Sequence, residues 1–329
     1  MREASLYEAK PRTDGTVSLA PLAPAYAAAA RRLPEALGLG CVTWFDAAWR
    51  GGFFDALSPE RAWPLSALRA YAAHPLVRCV EWPWPRVNAP SERYLEEVAQ
   101  ASGALRVICR AGGRLGDPCL RGRRGEPLGD NPEFLSAELA LSQWLHPCAR
   151  HFGKRAHLLV DLLYDPRPGA YAPAARARWL GRLEAFLSQL AEANIAGLPV
   201  SVAVRSRALF TPAFLEVLHR TSAKPALTVC SSGVQWPALS RGLRRWLELA
   251  ADDGEPLLMR WLSGAVRGPL WESGPKRDSL GVLACAGLAG GLVKAGRRVD
   301  VLVAQTAEGN APQSLYSIAE AVLGHFSVV

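Results

Sequence analysis

The chain has 329 residues, half of them apolar and 21% charged, with 38 basic against 30 acidic side chains and a net charge of +8. This composition excludes a disordered or fibrous chain, because enough side chains can leave water to offset the entropy of ordering the backbone. Only five of the basic residues are lysines, so the excess is arginine, which coding bias also produces, and charge alone does not establish a nucleic-acid partner.

Seven cysteines are sparse and odd in number, and no C-x-x-C occurs. They sit in apolar runs such as Val107-Ile108-Cys109, which predicts reduced, buried thiols. The first residues, MREASLYEAKPRTDG, hold no apolar stretch of the secretory kind. The apolar segment 280–293 carries Gly281, Gly287, Gly290 and Gly291. It is shorter than the about 20 helical residues that cross a bilayer, so it reads as a buried helix. A cytoplasmic protein with no membrane partner is expected.

In chain order, an Ala-rich helix over 23–36 is predicted to cap or flank the bottom of the fold. Short β-favouring runs then recur at 41–44, 77–82, 105–110, 157–163, 200–205, 226–231, 256–262 and 299–305. Most are continuously apolar, as parallel strands covered on both faces are. Helical stretches lie between them. Ser91 stands as an N-cap before Glu92. Leu180, Leu183, Leu187 and Leu190 line one face of a helix over 174–193. Thr211-Pro212 and Ala311-Pro312 each open a further helix with Pro in its first turn. Eight β-then-α units without a marked linker predict an α/β fold, a single (β/α)8 TIM-type barrel over 39–329 with an extra N-terminal segment over 1–38. The rival, a doubly wound open sheet, lacks its G-x-G-x-x-G fingerprint after the first strand.

Barrels of this kind place chemistry at the carboxyl ends of the strands. The runs end at or near Trp44, Glu81, Arg110, Asp161, Arg205, Ser231, Arg260 and Gln305. Three arginines and two carboxylates at one mouth fit an anionic or sugar-phosphate ligand, since guanidinium offers a planar fork of donors. Equally, the five side chains can pair among themselves as buried ion pairs. Glu81 with Asp161 is a candidate general acid and base. The Gly-, Pro- and Arg-rich segment 111–131 follows the third strand. From 105 to 129 six arginines face only Asp117 and Glu126, a local balance of +4, so this loop is either a phosphate-embracing arm or a solvated, mobile lid. Glu308, Gly309 and Asn310 lead into the last helix, whose first N–H groups can bind phosphate. Only His157 of the six histidines lies on a predicted strand, at its amino end, so no metal centre, nucleophilic triad or cofactor is expected.

Several segments resemble the YecE-like proteins (domain of unknown function 72), from about residue 40 to 325. Ala307-Glu308-Gly309-Asn310-Ala311-Pro312 looks like that family's A-E-G-x-A-P after its last strand. Trp44, Trp49 through Gly51 and Phe53-Phe54 resemble its W…W-x-G-x-F-Y stretch, Tyr71-Ala72…Val80-Glu81 its Y-A…V-E, Ala203-Val204-Arg205 part of its V-E-V-R, and Arg260 through Gly264 its R-L-x-G strand. The resemblance implies a TIM-type barrel. By analogy with the barrels of endonuclease IV and xylose isomerase, it also implies nucleic-acid or sugar-phosphate binding. Departures mark a divergent member: Trp82-Pro83-Trp84-Pro85 follows Glu81, Ala203 replaces the family's glutamate, Arg110 its lysine, and Gln305-Thr306 its paired asparagines. Such losses imply altered specificity or no turnover. The expectation is a barrel binding a phosphate-containing ligand, small molecule or nucleic acid, at its mouth; if catalytic, it is a metal-free hydrolase or lyase on a phosphorylated or sugar-containing substrate. The alternative is a non-catalytic interaction scaffold presenting Trp82 and Trp84.

Overall fold

The computed structural model describes residues 17, 19–20, 24–46, 49, 53–54, 65–83, 90–122, 124–193, 195, 197–206, 208–229, 244, 246, 254–262, 279–304 and 311–326. Eight parallel staves close into a barrel. They are β1 (Leu37–Cys41), β2 (Cys79–Pro83), β3 (Arg106–Ala111), β6 (Ala156–Leu162), β7 (Val200–Val204), a stave split into β8 (Lys224–Pro225) and β9 (Leu227–Val229), β10 (Leu257–Trp261) and β11 (Val299–Val303). The sheet runs in the order β8-β7-β6-β3-β2-β1-β11-β10-β9. Its two ends are the halves of one stave on either side of Ala226, whose N–H still bonds Val202 O at 2.9 Å. The barrel predicted from the strand count is therefore present.

Helices α2 (Leu65–Ala72), α3 (Glu92–Ala101), α6 (Pro173–Ala193), α7 (Pro212–Arg220), α8 (Ser279–Lys294) and α9 (Ala311–Phe326) follow their staves. The caps expected from sequence form: Ser91 Oγ accepts from Tyr94 N and Thr211 Oγ1 from Phe214 N, both at 3.3 Å. In α6 the buried face is Leu183, Phe186, Leu187 and Leu190. The N-terminal helix α1 (Pro24–Arg32) lies in the outer ring beside α9, with Tyr26 against Tyr316 at 4.5 Å between ring centroids.

The sequence reading misplaced the first strand, predicted at 41–44 but formed by Leu37–Cys41. Gly38 and Gly40 disguised it, since glycine is depleted in strands. Both are required here. A Cβ at Gly38 would overlap the Asp300 carboxylate, and one at Gly40 the Cys79 carbonyl oxygen.

A connection without an apparent strand signal, between β3 and β6, also holds more structure than expected. It forms a hairpin of β4 (Cys119–Arg121) and β5 (Pro127–Asp130). It continues into α4 (Ala137–Ala140), a π-helical turn over Leu141–Leu145, and α5 (His146–Phe152). Pro147, at the start of α5, has no N–H for the ladder, and the helix widens immediately before it.

Alternation along the staves divides them into two sets of side chains. One set packs outward against the helices and forms the main core: Trp82, for instance, meets Phe152 of α5 and Tyr94 of α3 at 5.9 and 6.1 Å. The other set fills the barrel in layers. Its middle layer is Cys79, Ile108, Leu159, Ala203, Ala226, Leu258 and Leu302, with Val42 against it. Two residues before these positions come Arg106 and Asp300, ion-paired across the barrel, and His157, whose Nε2 bonds Ser201 Oγ at 2.8 Å. Two residues after come Glu81, Arg110, Asp161, Arg205 and Arg260. The six described cysteines are buried free thiols, and Cys230 lies outside the described residues.

Candidate functional site

Strand register carries Glu81, Arg110, Asp161, Arg205 and Arg260 to one level at the carboxyl end of the barrel. Burial makes charge there costly unless it is paired, and the five side chains pair closely. Arg260 Nε and Nη2 donate to Glu81 Oε2 and Oε1 at 2.7 and 3.0 Å. Arg205 Nη2 and Nε donate to Asp161 Oδ2 and Oδ1 at 2.7 and 3.2 Å. Arg110 bridges the two carboxylates, 2.7 Å from Glu81 Oε1 and 3.5 Å from Asp161 Oδ2. Its Nε makes no directed hydrogen bond, so that short contact is coulombic. Arg260 Nη1 likewise stands 3.5 Å from Asp161 Oδ1.

Burial alone would push the Asp161 carboxyl up, but the charges of Arg260, Arg205 and Arg110, with the Arg205 hydrogen bonds, hold it well below the ordinary carboxylate range. Burial likewise opposes the charge on Arg260, and Glu81 and Asp161 outweigh it. Glu81, Asp161 and Arg260 are buried. The side chains of Arg110 and Arg205 are 22% and 40% exposed. The cluster is thus a fixed ionic base with two guanidiniums facing outward. Asp161 thereby anchors Arg205 and stands within 3.5 Å of Arg110 and Arg260.

Trp44, expected to touch ligand, is instead buried, with its ring 6.3 Å from that of Trp82. Trp82 is itself fully buried, which removes it as the partner surface of the scaffold reading. Ser231, Gln305, Glu308, Gly309 and Asn310, as well as Trp84, lie outside the described residues.

Four of the six arginines in the arginine-rich span meet carboxylates, and Arg123 lies outside the described residues. Arg106 is at the opposite end of the barrel on Asp300, Arg110 is in the mouth cluster, Arg114 pairs with Glu133, and Arg121 holds Asp117 at 2.8 Å. Carboxylates distant in sequence therefore offset most of the local charge. The hairpin is tied down at its base as well: Asn131 Nδ2 donates to Arg114 O and Asp117 O at 2.6 and 2.7 Å. Leu163 N donates to Gly116 O at 2.9 Å. Gly116 permits that approach, since a Cβ there would overlap the carbonyl oxygen of Asp161. Arg121 Nη2 also donates to Tyr164 O at 2.7 Å. The segment expected to be either a phosphate-embracing arm or a mobile lid holds a hydrogen-bonded hairpin seated on the rim beside Asp161.

Sequence reasoning missed Tyr164 and Tyr171, which flank this rim with ring centroids 5.5 Å apart. Their only signal was position, just beyond a strand end. A cavity of about 350 Å³ lies at the other end of the barrel, lined by Leu187, Leu190, Ile195, Leu198, Lys224 and Glu255 among others. It is remote from the ionic cluster, and Lys224 Nζ within it donates to Glu255 O at 2.8 Å. Among the described residues, no helix is long and apolar enough to cross a membrane.

No protein-family model and no curated protein matches the chain. Solved structures do. A DUF72 family protein from Enterococcus faecalis V583 aligns over 87% of this chain and 95% of its own, at 13% identity and a TM-score of 0.52. A DUF72 family protein from Thermotoga maritima MSB8 aligns over 86% of this chain and 98% of its own, at 12% identity and a TM-score of 0.53. The ionic mouth of Glu81, Arg110, Asp161, Arg205 and Arg260 is therefore built on a TIM-type barrel whose fold is that of solved DUF72 family proteins.

Proposed function

We propose that the protein binds a phosphate-containing or other anionic ligand at the barrel mouth, with Arg205 and Arg110 as the donors. One observation carries this reading. Among the described residues of the cluster, three guanidiniums meet two carboxylates, and the exposed ones are Arg110 and Arg205. A surplus positive charge next to a low-dielectric interior attracts an anion more strongly than the same charge in open water.

The buried partners supply preorganisation. Asp161 fixes the Arg205 fork through two hydrogen bonds, and Glu81 fixes Arg260 in the same way. Ordering costs that normally oppose binding are then already met in the free protein. In this reading Glu81 and Asp161 serve to position the arginines.

The test is titration calorimetry with inorganic phosphate, sugar phosphates, nucleotides and a short oligonucleotide, on the parent chain and on Arg205→Ala. Arg205→Ala is expected to weaken binding about tenfold or more, the scale of one charge-assisted hydrogen-bonded contact, with an unchanged circular dichroism spectrum. No binding of any phosphate ligand by the parent chain, or equal affinity in the variant, would overturn the reading.

A further inference from the structure

Resting on the anion-binding reading, we infer that the mouth is built for phosphate esters that carry a flat aromatic group, with the ring stacked on Tyr164 beside the Arg205 guanidinium. The two residues stand on neighbouring strand ends. Arg205 N donates to Leu162 O at 3.2 Å, and Tyr164 is two residues further along the chain. Tyr171 brings the second ring to the same place: its phenol oxygen accepts from Asp165 N at 2.6 Å and is hydrogen-bonded with Ser206, the residue after Arg205.

Tyr164 is held although it is exposed. Its carbonyl accepts from Arg121, its ring leans on Tyr171 at an interplanar angle of 35°, and the following Asp165 is clasped by Arg167 at 2.7 Å. Nevertheless 53% of the residue faces solvent. An exposed ring backed by Tyr171, on the strand end neighbouring that of a guanidinium held by Asp161, offers a stacking surface and an oxyanion partner on one rim, with part of the ordering cost already met. A sugar phosphate uses only the second of these features. An aryl phosphate or a mononucleotide uses both.

The experiment compares adenosine monophosphate, p-nitrophenyl phosphate and glucose 6-phosphate by titration calorimetry. The two aromatic esters are expected to bind about tenfold tighter than glucose 6-phosphate, within the range that one base–aromatic stack supplies. Tyr164→Ala, at an exposed site, is expected to abolish that preference and leave glucose 6-phosphate unchanged, whereas Arg205→Gln weakens all three. Equal affinities for the three esters, or a preference that survives Tyr164→Ala, overturn the aromatic assignment while the anion reading stands. If none of the three binds the parent chain, both fall.

Discussion

Replacing Glu81 by Gln tests whether the mouth is a single charge-balanced unit. The substitution keeps the shape and one carbonyl acceptor but removes the carboxylate that Arg260 grips at 2.7 and 3.0 Å and Arg110 approaches at 2.7 Å. Two unit charges about 4 Å apart interact by about 4 kcal/mol at an effective dielectric of about 20. Arg260 is buried and has no water to fall back on, so its remaining carboxylate is Asp161, at 3.5 Å. Removing one partner of such a buried pair typically costs about 3–5 kcal/mol. Urea denaturation of Glu81→Gln should therefore show a loss of that order. Removing both charges, in Glu81→Gln with Arg260→Met, should recover most of it, because the fully buried cation goes with its carboxylate and the partly exposed Arg110 keeps Asp161 at 3.5 Å. A single variant within about 1 kcal/mol of the parent chain, or a double variant whose loss is the simple sum of the two singles, would refute the view that these charges are mutually dependent.

Two further outcomes follow from burial elsewhere. Gly40→Ala should destabilise the barrel by about 2 kcal/mol or more in the same assay, because its methyl meets the backbone carbonyl of Cys79 and not a yielding side-chain end; an unchanged midpoint would mean that β1 and β2 separate at little cost. His74, stacked on Phe53 at 4.6 Å, has its pKa lowered by burial to about 4 from 6.5. Between those values the unfolded chain takes up a proton that the folded one refuses, so stability falls as pH drops through that window and levels off below it. The expected loss from pH 7 to pH 5 is about 2 kcal/mol, and it should vanish in His74→Phe; equal pH slopes for the two proteins would exclude His74 as the cause.

The architecture was legible because it depends on local regularities. Runs such as 157–163 and 200–205 are apolar on both faces, as only staves buried from both sides are, and Ser91 and Thr211 announce helix starts through hydrogen bonds within three residues. The end of each run also pointed to Glu81, Arg110, Asp161, Arg205 and Arg260 as members of one ring. Where a close approach set the residue type, local propensity misled: Gly38 and Gly40 weakened the first strand in the sequence and yet make its packing feasible. A glycine reports that space is short, and not which distant group takes it.

Charge shows the same division more sharply. Along the sequence, the span 105–129 carries a surplus of +4, which by itself describes a basic arm. In three dimensions Asp300, Glu81 and Glu133 meet three of its arginines from 19 to 194 residues away. The sequence alone determined the number of staves, their parallel packing and which residues close each run. The tertiary structure decided which charges cancel and left Arg205 and Arg110 facing outward, because Coulomb energy depends on separation in space and on burial, and neither is set by distance along the chain.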